Sequence, residues 1–195
     1  VKRVWFSNGI HHHYSTDKIR PEFSEGYFAE LIRNSEGEFP LQKGETVEDL
    51  IEKLTPILFD PLADGKRVNQ DSDKDMVAHS ANNFYEGVTQ KEVEAYYAKL
   101  TDPDDKTPIS YGLNSKVVKE KGKMTEKRWK LGGMYSQAIE KIIHWLEKGV
   151  SVAETDTQKA WLEKLVDYYR TGDLKTFDEY SILWTLDSDS SVDVV

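Results

Sequence analysis

Apolar positions along this chain recur mostly with helical spacing, in two helical regions separated by one short stretch that alternates. Phe23, Tyr27, Phe28, Leu31 and Ile32 fall on one face of a helix predicted over 23–33. Val47, Leu50, Ile51, Leu54 and Leu58 form the stripe of a second, opened by Thr46 as N-cap and by an acidic first turn. Pro56 is expected to end or kink that helix. Thr89-Gln-Lys-Glu92 reads as a capping box ahead of Val93, Tyr96, Tyr97 and Leu100, and Asp102-Pro103-Asp104-Asp105 stops the third helix.

The period changes after Pro108. Residues 109–114 and 117–120 are short and partly alternating, and Lys121-Gly122-Lys123 has the look of a hairpin turn. Met124 to Leu131 is the expected returning strand, and Gly132-Gly133 closes the unit. Helical spacing then resumes in three segments. Residues 135–148 carry Ile139, Ile142, Ile143 and Leu146 and are expected to stop at Gly149 as a C′ glycine. Residues 155–171 carry Trp161, Leu162, Leu165, Val166 and Tyr169 and stop at Gly172. Residues 174–186 carry Phe177, Tyr180, Ile182, Leu183 and Trp184, and their end is expected to turn toward a strand. Short glycine-marked joins predict antiparallel neighbours.

Ahead of the first helix, Val4-Trp5-Phe6 reads as a short strand and Asn8-Gly9 as a turn. Residues 10–23 have no helical period and are expected to form an ordered loop. Residues 34–44 and 60–75 are polar connectors. The predicted class is α+β: mostly helical, with a small antiparallel sheet or hairpin between helices. The chain is taken as one unit, 1–195, with loop and helices over 1–105, the hairpin region over 106–133 and helices over 134–195.

Composition narrows the function. The 195 residues are long enough for a sizeable core, although 31% charged residues make the chain polar. Five Trp, ten Tyr and seven Phe argue for a folded chain, because aromatics carry large buried areas. A net charge of −9 repels phosphate backbones, so nucleic acid is not an expected partner. No window is apolar enough for a membrane span. The chain holds no Cys, which removes disulfides, thiolate nucleophiles and thiolate metal sites together. It starts Val-Lys-Arg-Val-Trp and ends Val192-Asp193-Val194-Val195 as an apolar element begins, so an internal piece of a larger product is expected.

His11-His12-His13 invites a metal argument, since zinc favours imidazole. Spacing opposes it. Consecutive side chains of an extended segment alternate in direction, so at most His11 and His13 converge. His79 and His144 are isolated, and His144 is expected at a core edge beside its helix's apolar stripe. Asp71-x-Asp73-x-Asp75 begins like a calcium loop, but Met76 and Asn82 stand where Gly and Glu are needed. No G-x-S-x-G elbow, P-loop, dinucleotide fingerprint or H-E-x-x-H occurs.

Two stretches nonetheless look familiar. The run from Trp5 through Asn8-Gly9-Ile10-His11-His12-His13-Tyr14 to Arg20-Pro21 resembles the N-G-I-H-H-H-Y segment of bacterial dipeptidyl peptidase III. Asn83-Phe84-Tyr85-Glu86-Gly87-Val88-Thr89, with the helix and hairpin after it, is similar to that family's order of turn, helix and strand. The three closing helices also fall where the family has them. In eukaryotic relatives a longer A-G-V-Y-S-N-M-G-N-Y segment takes the place of the first motif.

The resemblance implies a two-lobed zinc exopeptidase that releases dipeptides from the N-termini of oligopeptides. Its zinc is held by an H-E-x-x-G-H helix and a further Glu in a helical upper lobe. This chain would belong to the lower, substrate-binding lobe. The family's G-F-I-E-x-Y motif is expected directly after the segment matching 192–195, so no catalytic or metal residue carries over and the piece is expected to be inactive without cofactor. Asn8, Gly9, His13 and Tyr14 are carried over as substrate-binding residues that line the cleft. The implied partners are an oligopeptide and the remainder of the parent enzyme, and a cytoplasmic setting is slightly favoured by the resemblance. The rival reading is a free-standing α+β module that binds peptide or protein without catalysis. A third is a histidine-dependent metal binder, which needs His11 and His13 to converge with another ligand.

Overall fold

The structure is a computed structural model that describes residues 9–14 and 16–192. The expected strand at Val4–Phe6 and the candidate residue Asn8 lie outside the described residues. The chain divides into two compact units between Asn82 and Asn83.

The first unit contains helices α1 (Glu25–Arg33) and α2 (Val47–Phe59). A side-chain cap starts both, the expected one at α2 and one not expected from the sequence at α1. Ser24 accepts from the Tyr27 amide at α1, and Thr46 forms a reciprocal capping box with Asp49 at α2. Arg33 grips Glu48 with two parallel bonds of 2.8 Å, which ties the helices together at the surface. Below them Phe59 meets Phe23 at 5.9 Å and Phe28 at 6.0 Å between ring centroids.

Pro56 does not end α2: the helix runs on past it, to Phe59. A proline removes one amide and crowds the carbonyl four residues back. Near a helix end that loss is tolerable, because the last turn carries unpaired carbonyls in any case. The Asp60 amide also restores the ladder beyond it by donating to the Pro56 carbonyl at 3.1 Å.

Among the described residues the first unit buries just two apolar side chains, Phe28 and Ile51, but three polar ones: His11, Lys18 and Asn69. Burying an apolar side chain contributes about 1.5–3 kcal/mol. Two of them are a thin core for a unit of this size, so polar contacts carry much of its order.

The second unit is α+β. Strand β1 (Tyr85–Glu86) is followed by α3 (Gln90–Tyr97), β2 (Ser115–Glu120) and β3 (Lys123–Arg128). Helices α4 (Ser136–Val150), α5 (Asp156–Thr171) and α6 (Leu174–Leu186) close the chain. The hairpin forms as expected, with β2 and β3 antiparallel and Val117 opposite Glu126. Lys121 and Gly122 make its turn with φ of 51° and 78°, the pair of positive angles that a two-residue loop needs. The sheet is mixed rather than purely antiparallel, because the short β1 pairs parallel with β2. Val117 and Val118 point to opposite faces and are 0% and 2% exposed, so β2 is covered on both sides.

Four expectations need correction here. Helix α3 ends at Tyr97 rather than Leu100, and turns carry the chain on to Thr101. Residues 111–114 are a turn, not an extended run, with Gly112 at φ 87°. Strand β3 stops at Arg128, where Trp129 leaves the ladder to bridge Met134. Helix α4 runs through Gly149 to Val150: this glycine keeps a helical φ and faces the Leu162 methyls.

The core of this unit is a helical layer. Ile139, Ile143 and Leu146 of α4 meet Trp161, Leu162, Leu165, Val166 and Tyr168 of α5, and Leu174 of α6 completes the cluster. Gly172, at φ 67°, ends α5 in the left-handed cap its position predicts. The buried Asn114 side chain donates to the Gly172 carbonyl at 3.1 Å, which ties the hairpin to this helical turn. His144 is exposed on α4 and stacks edge-on against the exposed Trp145, so it is not the expected core-edge residue.

Candidate functional site

The His-rich segment of the first unit folds back on itself. The His12 amide donates to the Asp17 carbonyl at 2.7 Å, and the Ile19 amide donates to the Ile10 carbonyl at 2.7 Å. Thr16 takes φ 62° where the chain reverses. A third segment joins alongside: the Lys18 amide reaches the Gly65 carbonyl at 3.0 Å, and the Arg67 amide reaches that of Thr16 at 2.9 Å. Three short segments, around 10–13, 16–19 and 65–68, thus form a miniature ladder.

Two buried side chains pin the base of this hairpin. His11 Nε2 lies 2.7 Å from the Asp64 carbonyl oxygen. A carbonyl only accepts, so Nε2 carries the proton and donates. Lys18 Nζ donates to the Asp60 and Ala63 carbonyls, each at 2.6 Å. These carbonyls follow directly on the C-terminus of α2, where a cation is favoured by the helix dipole. A lysine that is 9% exposed keeps its charge solvated by backbone oxygens in this way.

The tip is presented outward. Tyr14 is 94% exposed, His13 is exposed beside it, and the rings meet edge to face at 4.9 Å. Arg67 holds the tip from behind by donating to the His13 carbonyl at 3.2 Å. Gly9 enters the hairpin at φ 62°, with nothing within 4 Å of a would-be Cβ. Of the four carried-over positions, Gly9, His13 and Tyr14 are therefore described at or near this exposed hairpin.

The three histidines do not form a metal site. His11 is buried and spends Nε2 on a carbonyl, whereas His13 stands at the exposed tip. Among the described residues no group of three or more His, Asp or Glu side chains is placed to hold a metal ion. The described residues do not fit a zinc ion.

Below the hairpin lies an open groove of about 750 Å³, formed within the first unit. Lys66 and Lys74 share the Asp71 carboxylate there, at 3.0 and 3.6 Å. The hydrogen bond from Lys66 holds the Asp71 carboxyl below its usual range, and Asp71 in turn raises the Lys66 ammonium. Asn69 is 6% exposed, and its Oδ1 accepts from the Asp71 amide at 2.9 Å. Nothing in the spacing of Asn69 marks it in sequence.

The second unit carries one polar cluster that sequence reasoning missed. Ser115, 1% exposed, donates to Glu126 Oε1 at 2.6 Å, and Arg128 Nε lies 3.3 Å from the other carboxylate oxygen. Burial, then the nearby Glu126 charge, pushes the Tyr97 hydroxyl up to about 12. A phenol held so far up stays protonated at neutral pH. The arrangement braces α3 against the hairpin.

Residues 73–195, more than half of the chain, match the model of peptidase family M49. The stretch takes in the whole second unit and the last part of the groove, and the hairpin precedes it. No curated protein matches the chain.

Proposed function

Because the chain belongs to peptidase family M49, we propose that it supplies part of the substrate-binding lobe of a zinc dipeptidyl peptidase. The parent enzyme would release dipeptides from the N-termini of oligopeptides. Both units belong to that lobe, and the Asn8–Tyr14 segment forms a wall of the peptide cleft. The observation that supports this role is the anchored hairpin. Its base is fixed by His11 and Lys18, while an aromatic pair stands exposed at its tip. Rigid exposed aromatics offer contact area at small entropic cost, which suits peptide binding. Tyr14 supplies an aromatic face with a polar end, and His13 a hydrogen-bonding ring.

Catalysis lies elsewhere in the parent. Zinc hydrolysis needs protein ligands around an open metal position and a base for the attacking water. No H-E-x-x-G-H occurs in this sequence. The purified chain, supplied with zinc and a dipeptidyl-arylamide, is expected to release no arylamine. Zinc-dependent release that a chelator abolishes would overturn the proposal.

A further inference from the structure

Helix α4 carries two apolar faces, and the second unit covers one of them. Ile139, Ile143 and Leu146 are buried in the helical layer. Tyr135, Ala138, Ile142, Trp145 and Gly149 form a second stripe, spaced three and four residues apart in alternation. That is the spacing of a helix-pairing seam. Ala138, Ile142 and Trp145 each precede a buried residue by one position, so the seam lies about 100° around the helix from the buried face. Its first four members are exposed, Trp145 at 71% and Tyr135 at 53%. Contiguous exposed apolar surface marks a contact site, and Trp and Tyr are the side chains that most often carry binding energy.

The start of the seam is held in place. Tyr135 takes φ 59°, a conformation that a side chain disfavours. Asn83 Nδ2 donates to its hydroxyl at 2.6 Å, and the Trp129 ring meets it edge to face at 5.8 Å. Tyr135, Ala138 and Lys141 line an open groove of about 560 Å³ at this end.

Charge identifies the occupant. The whole chain is acidic, at −9, yet the open flank of the seam is basic. Lys141 and Lys148 stand one position before Ile142 and Gly149, with His144 on the same side, and all three are exposed. Neither lysine has an ion pair among the described residues. The acids of α4, Glu140 and Glu147, lie on the side away from the seam, and Glu147 is paired with Arg170. A second copy of α4 would set lysine against lysine. An anionic lipid surface suits a broad apolar face better than a narrow seam, and the net charge opposes it. Obligate interfaces are broadly apolar, whereas a narrow seam rimmed by solvated charge has the make-up of a reversible one.

We infer that this face of α4 docks an acidic amphipathic helix of a separate protein. Its apolar residues sit on Tyr135, Ile142 and Trp145, and its carboxylates face Lys141 and Lys148. The surface belongs entirely to the second unit and does not rest on the proposed function.

The test is fluorescence anisotropy of labelled peptides titrated with the full chain. The acidic probe is a designed amphipathic helix with Leu along its seam and Glu on both flanks. A twin carries Lys in place of Glu, and a third peptide scrambles the acidic composition. The acidic helix should bind about tenfold or more tightly than either. Trp145→Ala, at an exposed position, should weaken it about tenfold or more with the melting temperature unchanged. Lys141→Glu/Lys148→Glu should turn the preference toward the Lys twin. Binding that survives Trp145→Ala, or a preference that survives the charge reversal, overturns the docking face. So does a loss of binding in His13→Ala/Tyr14→Ala, which would seat the peptide on the hairpin. A dimer of the unliganded chain that Trp145→Ala dissociates would make a second copy the occupant. Tighter binding to phosphatidylserine/phosphatidylcholine vesicles than to the acidic helix, lost in Trp145→Ala, would make it a membrane surface. The peptide should also bind the proposed parent enzyme, and failure there would mean that the enzyme's own chain covers the face. Each of these three results overturns the separate acidic partner.

Discussion

Truncating His11 should loosen the hairpin, and by an amount the structure fixes within narrow limits. The ring is 6% exposed and makes one hydrogen bond, to the Asp64 carbonyl. Asp64 itself is exposed, so water reaches the carbonyl once the ring is gone. The lost bond then costs about 1 kcal/mol rather than the full penalty of a sealed acceptor. The space left by the ring adds about 1–2 kcal/mol, at the low end for a buried side chain because the site is near the surface. His11→Ala should therefore destabilise the hairpin by about 2–3 kcal/mol, which is roughly a 30- to 150-fold change in an opening equilibrium. Hydrogen exchange reads it directly at the Lys18, Ile19 and Arg67 amides, whose acceptors all lie within the miniature ladder. His13→Ala is the control: an exposed side chain should change these rates by less than about threefold. Protection that survives His11→Ala, or that falls equally in both variants, would refute the assignment of His11 as the pin.

Two glycines of the second unit should respond in opposite directions. Gly149→Ala should stabilise by about 0.5–1 kcal/mol, since φ is helical and a Cβ meets the Leu162 methyls at 3.8 and 3.9 Å, ordinary contact. Gly172→Ala should cost about 1–2 kcal/mol, because φ is 67° and a Cβ falls 3.1 Å from Lys130 carbons. Urea unfolding followed at Trp fluorescence distinguishes them. Acid should weaken the start of α3. The Glu92 carboxyl is held at about 2, first by its bond from Lys119 and then by Thr89, against an ordinary 4.5. A carboxyl lowered in the folded state contributes stability that is fully present above about 4.5 and lost as pH falls through about 2. Melting temperature should drop across that window, and less steeply in Glu92→Gln.

Periodic and capping signals carried most of the fold in the sequence. Thr46 and Thr89 cap helices where their hydroxyls predict, and Gly172 and Lys121-Gly122 turn the chain with the positive φ they favour. These are local chemistries, settled within a few residues. What the sequence hid depends on distant neighbours. Gly149 looks like a stop signal, yet packing against α5 carries the helix past it. Strand β1 is two residues long and exists because β2 lies beside it. The site was legible only in part. The His-rich run drew attention for its imidazoles, but His11 acts through the Asp64 carbonyl, 53 residues away. Asn69 and Lys18 carry no motif, because their roles come from loops that meet in space.

Peptide binding at the hairpin tip is the claim on which the account depends, and isothermal titration of an unhydrolysed tetrapeptide into the purified chain tests it. The account predicts saturable binding without zinc, weakened tenfold or more in a His13→Ala/Tyr14→Ala variant whose melting temperature is unchanged. Affinity that is indifferent to both substitutions would contradict it.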